Sequence, residues 1–88
     1  MANIETVSQT LKTKLEETMN GGYTGGCQEW INLLATADPA EGENDEKMLK
    51  EFTALTTEFS ATMAGNAPGD LTLWYQQLNA AMVESGIY

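Results

Sequence analysis

This 88-residue chain predicts an all-α fold: a small four-helix bundle, or two packed helical hairpins. Three observations predict it. Apolar residues recur every three or four positions, the period of one helix face. Short clusters rich in glycine, asparagine and proline separate the periodic stretches. The apolar fraction of 42% and mean hydropathy of −0.30 suit one globular domain spanning residues 1–88. A domain of this size has a thin core, so burying a second face against a partner would strengthen it.

The first helix is expected over about residues 3–19. Ile4, Val7, Leu11, Leu15 and Met19 form its apolar stripe, and Glu5, Lys12 and Glu16 its wet face. Lys12 and Glu16 are four apart, a weakly favourable pair. Asn20-Gly21-Gly22 ends it, because glycine adopts the left-handed cap without a Cβ penalty. Four glycines fall within Gly21–Gly26. A phosphate-binding loop would need a strand before it and a Lys-Ser/Thr pair after it. A helical stretch precedes this one and Cys27-Gln28 follows, so it reads as a turn or hinge.

The second helix is short, about 26–35, with Cys27, Trp30, Ile31 and Leu34 on one face. Pro39 and Gly42 then break regular structure, and acid is dense: Asp38, Glu41, Glu43, Asp45 and Glu46. A calcium loop starting at Asp38 would need Gly at its sixth position and Glu at its twelfth; Glu43 and Leu49 stand there. No metal site is expected. Asn44 or Asp45 is expected to cap the third helix, whose first-turn acids suit the positive end of the helix dipole.

That third helix is expected over about 45–64, with Met48, Phe52, Leu55, Phe59 and Met63 spaced four, three, four and four. Thr53, Thr56, Thr57 and Thr62 lower its intrinsic propensity, so packing must hold it. Gly65–Asp70 stops it, and Asp70 reads as the cap of a fourth helix over about 70–85. Leu71, Trp74, Tyr75, Leu78, Ala81 and Met82 share its face. Gly86 is a natural C-cap, leaving Ile87 and Tyr88 as an apolar tail.

Charge narrows the function. Thirteen carboxylates stand against four lysines (Lys12, Lys14, Lys47 and Lys50), with no arginine or histidine, for a net charge of −9. Direct nucleic-acid binding needs cations to replace phosphate counterions, so it is not expected. The same field attracts basic proteins. Without histidine, the usual neutral-pH general acid or base is missing, and the lone Cys27 lacks the base that a catalytic thiol needs. No nucleophile or zinc motif is present. The chain reads as a non-enzyme with no catalytic residues and no cofactor. No apolar run approaches the roughly 20 residues of a membrane span. The opening Met1–Glu5 lacks a basic and apolar leader. A cytoplasmic location is expected, with export by a route that leaves the N-terminus uncleaved as the alternative.

Leu33-Leu34-Ala35, Asp38-Pro39 and the run Met48–Ser60 resemble the helix–turn–helix of type III secretion needle subunits. The resemblance covers about a third of the chain. It implies an exported helical subunit that assembles with copies of itself. The family's second helix continues unbroken, whereas Gly65–Asp70 interrupts this one.

Binding is the function these readings leave. The expected mode is an apolar helix face rimmed by acid, offered to a protein partner with a basic surface or to a second copy in a homo-oligomer. Trp30, Trp74 and Tyr75 are the expected anchors, and Asp38, Glu41, Glu43, Asp45 and Glu46 the rim. The alternative is an acidic inhibitor of the phage type, whose carboxylates mimic phosphates and block a basic nucleic-acid-binding surface.

Overall fold

The computed structural model describes residues 3–22, 26–66 and 69–87. Four helices pack together in it: α1 (Ile4–Met19), α2 (Cys27–Ala35), α3 (Glu43–Met63) and α4 (Leu71–Glu84). The expected small all-α bundle is what forms. The expected turn at 23–25, Tyr23, Pro68 and Tyr88 lie outside the described residues.

Local chemistry sets most helix ends. Asn3 starts α1, its side-chain oxygen accepting from the Thr6 N–H at 2.7 Å; Asp70 starts α4, accepting from the Leu73 N–H at 3.0 Å. Three helices stop in the same way. Gly21, Gly65 and Gly86 have φ of +94°, +77° and +76°. Beyond each, a backbone N–H reaches back five residues to a carbonyl: Gly22 to Glu17, Asn66 to Ala61 and Ile87 to Met82, at 2.8–2.9 Å. This is the Schellman arrangement, and at α4 the following Ile87 packs against the core.

The start of α3 differs from expectation. It begins at Glu43, with Gly42 as a cap that has no side chain to offer. Asp45 lies inside the first turn, and its Oδ2 accepts from the Glu41 N–H at 3.0 Å. Asp45 thus pins the entering chain from within the helix, and Asn44 does not cap it. The threonines of α3 satisfy themselves locally: Thr53 donates to the Leu49 carbonyl and Thr57 to the Thr53 carbonyl, each at 3.1 Å.

Two antiparallel pairs make the bundle. In one, Tyr75 of α4 meets Glu16 of α1, and Thr72 meets Met19, so rising numbers on one helix match falling numbers on the other. In the other, Trp30 of α2 meets Phe59 of α3, while Leu34 and Ala35 lie by Phe52. The bundle measures 34 × 24 × 22 Å. At about 1.5 Å per residue, α3 alone spans nearly its length.

The periodic stripes meet at the centre. Leu11, Leu15, Met48, Leu55, Phe59, Leu78 and Met82 are fully buried. Trp30, Phe59 and Trp74 form a triangle, with ring centroids 5.4 Å apart for Trp30–Phe59, 4.8 Å for Phe59–Trp74 and 6.2 Å for Trp30–Trp74. Tilted and edge-on contacts at these distances add about 0.5–1.5 kcal/mol each beyond burial. Met48 and Met82 fill the core, whereas Met19 and Met63 lie at the surface.

Candidate interaction surface

The expected anchors divide between core and surface. Trp30 and Trp74 are only 3% and 4% exposed, which corrects their placement at a binding face. Their indoles close the aromatic triangle, where three helices supply enough surface to cover them. Tyr75 is half-buried, and its hydroxyl donates to Glu16 Oε1 at 2.5 Å. Lys12 approaches that same oxygen at 3.9 Å. Tyr75 therefore seals the α1–α4 seam.

An open apolar hollow lies between α2 and α3. Ile31 and Leu34 from α2, with Leu49 and Phe52 from α3, floor a groove of about 410 Å³. Thr53, Thr56 and Thr57 form its α3 wall. Leu34 and Phe52 are core residues seen from outside, whereas Ile31 and Leu49 are half-buried and lend side-chain surface to solvent. The groove exists because α2 is short and carries two apolar flanks: Trp30 and Leu34 turn inward, while Ile31 sits one position further round.

Beyond Leu49 and Thr53, which line both, the groove runs into a second hollow of about 510 Å³ edged by Glu43, Glu46, Lys47 and Lys50. The acid of residues 38–46 is thereby split. Glu43 and Glu46 flank the groove's end. Asp38, Glu41 and Asp45 face the other way, around a hollow of about 290 Å³ shared with Asn3 and Glu5 of α1. Glu5 joins this acidic group only through tertiary packing, and nothing in the local sequence signals it. Among the described residues, no three Asp, Glu, His or Cys side chains come together as metal ligands.

Cys27 opens α2, half-buried against the core. Burial pushes its thiol up from the usual range, against a smaller opposing effect of a backbone hydrogen bond. A raised thiol stays protonated at neutral pH and is a poor nucleophile. No helix among the described residues is long and apolar enough to cross a membrane.

No family model, curated protein or solved structure matches the chain. The surface must therefore be read from its own chemistry.

Proposed function

We propose that this chain is a non-enzymatic protein-interaction module, using the α2–α3 groove as its apolar seat and, of the acid in residues 38–46, Glu43 and Glu46 as part of its charged margin. The observation that carries this reading is the groove itself. It is a largely apolar channel on a protein of net charge −9, and it runs into a hollow edged by Glu43, Glu46, Lys47 and Lys50. Ile31 and Leu49, the half-buried apolar residues of the groove, replace Trp30, Trp74 and Tyr75 as the apolar contacts, with Thr53, Thr56 and Thr57 beside them. The partner that fits is a protein segment with an apolar face, and the chain's net charge of −9 favours a basic one. Every copy of this chain carries −9, which opposes self-association and favours a different protein as the occupant.

The test is capture from the native host by the intact chain and by an Ile31→Gln, Leu49→Gln double variant, each at low and high salt. A partner retained by the parent in high salt and lost by the variant supports the reading. Retention by both proteins, with release as ionic strength rises, would transfer the function to the carboxylates alone, as in a phosphate-mimicking inhibitor. A chain that remains monomeric and captures nothing would sink both.

A further inference from the structure

On α3, the groove residues Leu49, Thr53 and Thr56 lie on one flank, and Glu51, Ala54 and Glu58 lie on the other. At about 100° per residue the two sets are nearly opposite. The second flank meets α4, where Glu51, Ala54, Ala81 and Glu84 line one hollow together with Lys47 and Lys50. Glu51 Oε1 is buried there and has no hydrogen-bond partner. Among the described residues, neither Lys47 nor Lys50 comes within 4.0 Å of a carboxylate oxygen. The other charges around it are Glu58 on its own helix and Glu84 across the seam. Neither α1 nor α2 contributes a lining residue to this hollow.

A carboxylate oxygen enclosed without a donor, and facing like charge, favours the protonated acid. Burial pushes the Glu51 carboxyl above the usual glutamate range, and Glu58 and then Glu84 push it further the same way. We propose that Glu51 makes the α3–α4 seam a pH-sensitive clasp, loosened by charge at neutral pH and tightened when this one carboxyl takes up a proton in mild acid. The folded chain then binds the proton more readily than the unfolded chain does. Its stability rises as pH falls through the folded-state value of Glu51, and the gain is complete below the unfolded-state value. Glu51, Ala54, Ala81 and Glu84 lie away from the proposed partner groove, although Lys47 and Lys50 edge both the hollow at its end and this one.

The experiment follows side-chain carboxyl shifts of the intact chain by carbon NMR from pH 7 to pH 3, alongside thermal melts of the parent, Glu51→Gln and Glu41→Gln. Glu41 is an exposed loop acid and controls for the general relief of net charge. The expected Glu51 midpoint lies above the ordinary glutamate value and falls towards it in Glu84→Gln. Glu51→Gln should melt above the parent at pH 7. It should also gain less than the parent on acidification, while Glu41→Gln keeps the parent's slope. A Glu51 midpoint at or below the ordinary value overturns the proposal even if a variant fails to fold. So does a Glu51→Gln melt that is no higher than the parent's at neutral pH.

Discussion

The α1–α4 pair and the α2–α3 pair are built differently, although both are antiparallel. The first pair starts both helices with side-chain caps, Asn3 and Asp70, and ties them across the seam through Tyr75–Glu16 and Thr72–Met19. The second starts both helices on glycine, Gly26 and Gly42, with no side-chain cap. Among the described residues, no side-chain hydrogen bond or ion pair joins α2 to α3. Rings and aliphatic groups hold that pair, and between them the groove stays open. A seam with polar cross-links is closed to a newcomer, because a partner would have to break them. An apolar seam without them can accept more apolar surface at no such cost.

The difference can be broken most forcefully at the centre. Phe59→Ala removes the ring that contacts both Trp30 and Trp74, and should cost about 3–5 kcal/mol in urea unfolding. For so small a domain that is a large share of total stability. Leu15→Ala, fully buried on the α1 side, should cost about 2–5 kcal/mol. If the triangle dominates, the Phe59 variant will be the less stable of the two. Next in size is Tyr75→Phe, which leaves the ring packed but removes the donor to Glu16. A loss of about 1–2 kcal/mol, read by denaturant midpoint, would confirm that the α1–α4 link is energetic rather than incidental. No change would make the two pairs equivalent.

The caps sharpen the comparison at smaller scale. Asn3→Ala and Asp70→Ala should each cost about 1 kcal/mol. Gly42→Ser should do the reverse and stabilise by a few tenths, because it supplies the missing side-chain acceptor. The backbone at Gly42 is extended, and a Cβ there meets nothing within 4 Å. A Gly42→Ser chain less stable than the parent would show that the uncapped start is needed as it stands.

What the sequence made legible was local. The spacing of Ile4, Val7, Leu11 and Leu15, like that of Met48, Phe52, Leu55 and Phe59, defines a helix face before any partner is known. Asp70 and Gly86 act on neighbours within a few residues, so their roles could be read directly, whereas Asn3, expected inside the first helix, caps it from outside. The start of α3 escaped because Gly42 carries no capping side chain to mark it. The site was harder. Trp30 and Ile31 are adjacent in sequence, and only the packing of α2 decides that one turns into the core and the other toward solvent. Residues 38–46 read as a single acidic edge, yet the N-terminus of α3 divides them and recruits Glu5 from the start of the chain. Glu51 resembled any other helix glutamate until packing buried one of its oxygens without a donor.

The three helix-ending glycines have a consequence that concerns handedness. Gly21, Gly65 and Gly86 hold backbone angles that an L-residue adopts only under strain and its mirror image adopts at ease. In a chain made by chemical ligation, D-alanine at Gly21 or Gly65 would keep each helix stop while removing freedom from the unfolded chain, a gain of roughly 0.4–1 kcal/mol per site. L-alanine at the same positions would lose stability instead. This protein therefore offers places where reversing the chirality of one residue, with composition unchanged, decides whether a helix ends comfortably.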